Sequence, residues 1–348
     1  MNRPSWIGLL LAVMAAIGGL PAVGVADPIK VSYQPAVYWA LPYYVATEKK
    51  FWAEAGLEPE FSTFPAGAPQ VAAAQAKSWD VGGTGSVPAV LGAARFGLIT
   101  VGITNDESKA NVLMVRAEKY DAVKKDPSSI KGQRILLTSN STGDYAVQAC
   151  LKKWGIAKSE VQLVNLGQAQ IISAITSNNG DLVGVWAPNM YTLAEKGGAK
   201  LLCSGYDAGA VVPGALVARP DFAKERGDLV AKYLAVYLRA WAWIKAHPKE
   251  AREMMKTFYA QGGVEISDQG MEAEFVDRPV YALDEQISNL DRSAGSSKVD
   301  TWLGNIGEFM KAAGTIPEVP DAKSYIDDSY LRRVAADPTL KAMATNAN

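Results

Sequence analysis

The residues of this chain that could do chemistry fall into three small groups. The first is a pair of helix starts. Ser86 in WDVGGTGSVPAV is followed by Pro88, and Ser141-Thr142 is followed by Asp144 and Tyr145. A serine before a helix accepts from a free backbone N–H, and a proline in the first turn costs no hydrogen bond. The spacing predicts Ser86 and Ser141 as N-caps, with Gly85 in the turn before the first of them. The free N–H groups of such helix ends can seat an anion without any arginine. The second group is the polar knot Asn105, Asp106, Glu107 between two apolar runs, whose carboxylates suit a ligand amine or a solvated turn equally. The third is aromatic and amide: Gln34, Tyr38 and Trp39 after the first strand, and Trp186 with Asn189 after LVGVW. The rings either line a pocket or pack the core. Asp144 has a structural role open to it as well, because Ser141 and Asp144 stand three apart as in a capping box.

Several chemistries lack their residues. The chain has one histidine, His247, next to Pro248 at a helix end, and its two cysteines do not form a CxxC pair. A histidine triad or a zinc–water mechanism would rest on that one residue. There is no GxSxG elbow and no GxxxxGK[ST] loop, although Asp106 and Glu107 could in principle serve an enzyme as acid and base. The expectation is a protein that is not an enzyme and uses no cofactor and no metal. A formal net charge of -1 gives no reason to expect a nucleic-acid partner.

The elements that must hold these residues are legible between Arg134 and Gly198. A short apolar run, a polar turn and a helical pattern follow one another three times: RILL to the Thr142 helix, VQLVNL to QAQIISAITSNN, and LVGVWAP to NMYTLAEKGG. That alternation predicts βαβ units on a parallel sheet, with ligands at the carboxyl ends of the strands. The region before Asn105 repeats the order, from IKVSY through the Leu41–Phe51 helix to Glu58–Phe64. Val112–Val115 and Val212–Val217 read as two strands crossing between lobes, so one lobe is built from both ends of the chain. The fold class expected is α/β, two-lobed, with a two-strand hinge and a cleft between the lobes. Lobe one would comprise 27–112 and 217–348, and lobe two 113–216. LVAKYLAVYLRAWAWIKA is apolar on more than one face and reads as a packed helix.

The N-terminus has the shape of a secretory leader over residues 1–26: Arg3, a long apolar run broken by Gly18, Gly19 and Pro21, then Gly24 and Ala26 before Asp27. A retained anchor is the rival reading. Export permits a disulfide, but nothing in the spacing of Cys150 and Cys203 decides between a bond and two buried thiols.

In their joint order, ALPYYVATEKKFWAEAGLEPEF, WDVGGTGSVPAV, IKGQRILLTSNSTGDYAVQACLKKWGI, VQLVNL, GDLVGVWAP and VARPDFA resemble the periplasmic substrate-binding components of ABC importers. The branch is that of sulfonate, taurine and nitrate binders, related to the pyrimidine-precursor binders. The resemblance implies a type II two-lobed fold, a small-molecule ligand in the cleft, an inner-membrane ABC permease as partner, a monomer, and a periplasmic location. Carried over residue by residue, it implies a pocket of Gln34, Tyr38, Trp39, Gly85, Ser86, Asn105, Asp106, Glu107, Ser141, Thr142, Asp144, Tyr145, Trp186 and Asn189. It implies a small organic anion or zwitterion, a sulfonate such as taurine foremost. The aromatic turn QPAVYWALPYY and the acidic TNDESKAN depart from the taurine pattern. They keep open an aromatic or pyrimidine-type nitrogen compound, or a ligand-sensing rather than a delivering protein.

Overall fold

The computed structural model describes residues 26–348, and every statement below concerns those residues. The expected leader, all but its last residue, lies outside them. Ten strands form two five-stranded sheets. The first contains β1 (Asp27–Tyr33), β2 (Leu57–Thr63), β3 (Val81–Gly85), β4 (Ile99–Asp106) and β10 (Pro213–Ala218), in the order β2-β1-β3-β10-β4. The second contains β5 (Asn111–Arg116), β6 (Arg134–Leu137), β7 (Gln162–Asn165), β8 (Leu182–Trp186) and β9 (Ala199–Ser204), in the order β7-β6-β8-β5-β9. The predicted alternation is there, since β6 runs parallel to β7 and to β8. The sheets are nevertheless mixed, not parallel. β10 is antiparallel to β3 and β4, and β5 is antiparallel to β8 and β9. The reason is topological: each reversed strand enters its sheet straight from the other lobe, at the edge that faces the cleft. All six residues of β5 and of β10 are buried. Strands covered on both faces read as unbroken apolar runs, which is why both were visible as runs but not as reversed.

Neither β5 nor β10 spans the lobes, and the expected boundaries near 112 and 216 fall inside them. The passage is made by residues 107–110 and 205–212, lying side by side. Glu107 N–H donates to the Val212 carbonyl at 2.8 Å, Gly205 N–H to Asn111 at 3.0 Å, and Tyr206 N–H to Ser108 at 3.0 Å. The C-terminal helices pack onto the first sheet. The long helix Gly227–Ala246 is buried on most of its circumference, as its all-round apolar pattern requires. Its Tyr237 hydroxyl donates to the Tyr38 carbonyl at 2.8 Å, tying it to the helix Val37–Glu48. His247 caps its end, with Nδ1 3.0 Å from the Trp243 carbonyl. In lobe two the question left open by the cysteines is resolved. Cys150 on the helix Thr142–Lys153 is bonded to Cys203 on β9, with Cα atoms 6.2 Å apart. None of the described helices is long and apolar enough to cross a membrane.

Candidate functional site

The site begins where two helices meet end to end across the cleft. β3 runs directly into the helix Ser86–Phe96. Its N-cap is Gly85 and not Ser86 as the spacing predicted. Gly85 holds the extended backbone of a cap (φ -69°, ψ 160°), so Ser86 is already helical and makes no side-chain cap. This leaves the Ser86 hydroxyl fully buried and without a hydrogen-bond partner among the described residues. Opposite lies the helix Thr142–Lys153, capped by Ser141 as predicted: Ser141 Oγ accepts from Asp144 N–H at 3.1 Å and donates to the Thr138 carbonyl at 2.6 Å. The two ends nearly touch. A Cβ added to Gly85 would stand 2.8 Å from Thr142 Cγ2. Trp186, at the end of β8, closes the same corner, its ring edge 3.2 Å from where a Cβ on Gly143 would be. Two partially positive helix ends therefore face each other across the boundary between the lobes.

The acidic knot lies beside this corner. Gly85 pairs with Gly214 in the β3–β10 ladder, and Pro213 pairs with Asp106 in the β10–β4 ladder. Glu107 is buried, so of the two readings left open for the knot the solvated turn does not hold for it. Its Oε2 accepts from Asn111 Nδ2 at 3.4 Å, and its Oε1 lies 3.6 Å from the Arg278 guanidinium. Arg278 donates to Glu274 Oε2 at 2.5 Å and sits over the Tyr38 ring, 4.1 Å from its centroid. Burial pushes the Glu107 carboxyl up to about 7, against the opposing pull of Arg278. Asp106 is spent on Ser108 N–H at 2.9 Å, and Asn105 Oδ1 accepts from Thr104 Oγ1 at 2.5 Å.

The other expected residues divide by what they touch. Tyr38 is fully buried, stacked on Trp241 at 5.2 Å, with its hydroxyl donated to the Glu274 carbonyl. It supports Arg278 rather than facing the cleft with an open ring. Trp39 packs against Gly83, where a Cβ would stand 2.3 Å from its own. Gln34 donates to Gln70 at 2.7 Å and Thr84 at 2.8 Å, inside lobe one. Asp144 accepts from Asn140 N–H at 3.1 Å and Gln148 Nε2 at 2.7 Å, so both oxygens serve its own helix. Burial raises its pKa despite these bonds. Tyr145 meets Phe309 edge to face at 5.0 Å, and Asn189 donates to Gln168 Oε1 at 3.1 Å. Gly85, Ser86, Thr142 and Trp186 thus share one corner, with Asn105, Asp106 and Glu107 on the adjoining strand ends. Gln34, Asp144, Tyr145 and Asn189 are engaged around it.

Sequence reasoning missed Glu274 and Arg278. Arg278 lies in VDRPVYALDEQISN, which carries no local signal of a site, and it meets Glu107 only through tertiary folding. Around the rim the lobes hold each other through Lys196 and Glu265, Ser267 and Glu195, and Thr315 with Asn140 at 2.8 Å. No cluster of three metal-ligating side chains occurs among the described residues.

Two lobes joined by paired crossings, with helix ends and buried polar groups facing each other between them, are the architecture of a two-lobed solute-binding protein. The chain belongs to the NMT1/THI5-like family, which matches residues 40–251. It is a substrate-binding component of an ABC importer, and its family is one of non-catalytic solute-binding proteins. It is similar to the taurine-binding periplasmic protein of Escherichia coli (strain K12), 26% identical over 333 residues, covering 92% of this chain and 98% of the other. Its fold matches the periplasmic aliphatic sulphonate binding protein SsuA of Escherichia coli with a TM-score of 0.71, at 17% identity over 86% of this chain and 92% of that one. The alkanesulfonate-binding SsuA of Xanthomonas axonopodis pv. citri, bound to MOPS, matches with 0.71 at 19% identity, over 86% and 98%.

Proposed function

We propose that this protein captures a sulfonate such as taurine between its lobes and delivers it to an inner-membrane permease. The reading is carried by the opposed N-termini of the helices Ser86–Phe96 and Thr142–Lys153, with the unpartnered Ser86 hydroxyl between them. Backbone donors and helix dipoles are suited to a compact oxyanion group, and no cation need be buried to hold it. In this reading the lobes move about the paired crossings 107–110 and 205–212, and the chain acts as a monomer after removal of its leader in the periplasm. Similarity to a taurine-binding and to two sulfonate-binding proteins supports the ligand class.

The test is calorimetric titration of the exported protein with taurine, ethanesulfonate, an aromatic carboxylate and a pyrimidine. Binding of either sulfonate, with the other two inert, is expected. Binding of the aromatic or pyrimidine compound alone would replace the ligand class and shift weight to Trp39 and Trp186.

A further inference from the structure

Between the first helix, the crossing and the segment after the helix Asp268–Val276 lies a buried cluster whose charges do not balance. Glu107 and Glu274 are 3% and 0% exposed, and Arg278, the one cation between them, is 2% exposed. Arg278 uses Nη1 on Glu274 Oε2 and Nη2 toward Glu107 Oε1. Glu107 Oε1 and Glu274 Oε1 have no hydrogen-bond partner among the described residues. A neutral group adds an independent sign. Asn111, fully buried, directs its amide N–H at Glu107 and leaves its own Oδ1 unpartnered. Donors are left over here as well, Arg278 Nε and Asn105 Nδ2 among them, so the demand is set by charge: two carboxylates face one guanidinium, and a cationic group on a ligand would offset the remaining negative charge. The position fits the anion seat. Glu107 Oε1 lies 3.0 Å from where a Cβ on Gly214 would be, and Gly214 is the ladder partner of Gly85 at the helix end.

We infer that Glu107 is the specificity-determining residue that accepts a cationic group of the ligand, so that the protein selects amino-sulfonates over alkanesulfonates lacking the amine. The inference rests on the sulfonate reading and narrows it. Glu274, held by Arg278, supplies the balancing negative charge and is a positioning residue. The groups facing Glu107 are Arg278 and Glu274 from the 274–278 segment, Asp106 on β4, Asn111 on β5, Tyr38 on the first helix and Tyr237 on the long helix. Tyr191 and Tyr259 face Arg278 and Glu274 from further out. Burial holds the Glu107 carboxyl up to about 7, so below that pH the protein keeps a proton there. An incoming ammonium group favours the carboxylate and drives that proton to solvent. The sign follows: affinity for a cationic ligand rises with pH through 7 for as long as the ligand amine stays protonated. From pH 6 to pH 8 the ionised fraction of a group titrating at 7 grows about tenfold, and affinity follows it.

The experiment is calorimetry of the exported protein with taurine and with ethanesulfonate, at pH 6, 7 and 8, in two buffers of different ionisation enthalpy. Taurine is expected to bind about tenfold more tightly at pH 8 than at pH 6, with proton release near pH 7, while ethanesulfonate binds more weakly with no such rise. Glu107→Gln is expected to abolish the slope and most of the preference for the amine, and to retain ethanesulfonate binding. The wild-type slope stands as evidence even if that variant misfolds. Equal and pH-flat binding of the two ligands overturns the role of Glu107 and leaves the sulfonate reading standing. Binding of neither removes the sulfonate reading and this inference with it.

Discussion

Gly85→Ala separates closure from folding. Gly85 has φ -69° and ψ 160°, a conformation that alanine adopts freely, so lobe one gains no backbone strain from the change. Reduced freedom in the unfolded chain should even stabilise the protein by about 0.4–1 kcal/mol. The added Cβ meets only one tight neighbour, Thr142 Cγ2 of the opposite lobe at 2.8 Å; Thr142 Oγ1 at 3.5 Å and Pro88 Cδ at 3.6 Å are ordinary contacts. Overpacking of this kind costs about 1–3 kcal/mol, and it is felt only when the lobes close. At about 1.4 kcal/mol per decade, ligand affinity should fall roughly 5- to 150-fold. Thr142→Ser removes Cγ2, so the double variant Gly85→Ala/Thr142→Ser should recover most of the loss. The assay is a double-mutant cycle by calorimetry, with urea unfolding of the ligand-free proteins as the stability control. Wild-type affinity in Gly85→Ala, or a loss that Thr142→Ser does not rescue, would refute the claim that these two helix ends meet on closure.

Two further outcomes test the scaffold. Replacing Cys150 and Cys203 by alanine opens a link spanning 53 residues, which the chain-entropy account values at about 4 kcal/mol; the urea midpoint should drop accordingly and lose its sensitivity to reductant, and an unchanged midpoint would contradict that account. Ser141→Ala should cost about 1 kcal/mol in unfolding free energy with little change in affinity, because the Ser141 hydroxyl is already committed to Asp144 N–H and the Thr138 carbonyl. A large loss of affinity at unchanged stability would place that hydroxyl on the ligand instead.

What the sequence disclosed follows from how local each feature is. Buried strands such as β8 and β10 announce themselves as apolar runs, and the Ser141 cap announces itself by its spacing to Asp144. Strand direction is not local. β5 and β10 are reversed because the chain reaches them from the other lobe, and no pattern within six residues records that. The cap at Ser86 was misplaced by one position because Gly85 adopts the same extended backbone that a capping serine would. The identity of the cysteine pair depended on the Thr142 helix lying over β9, a packing fact. For Glu107 the sequence left a ligand-facing acid and a solvated turn equally open, and it is a buried acid because Arg278 and Glu274 arrive from the far end of the chain. The aromatic turn left two roles open for Tyr38, pocket or core, and only the fold shows its ring held between Trp241 and Arg278.

The claim on which everything rests is that one ligand group is held by both helix ends at once. Hydrogen exchange read at the peptides covering 85–90 and 141–146, with and without a saturating sulfonate, tests it most directly. Simultaneous protection of both peptides, one from each lobe, is the result expected. Protection confined to one lobe, or lying elsewhere while binding is saturated, would contradict it.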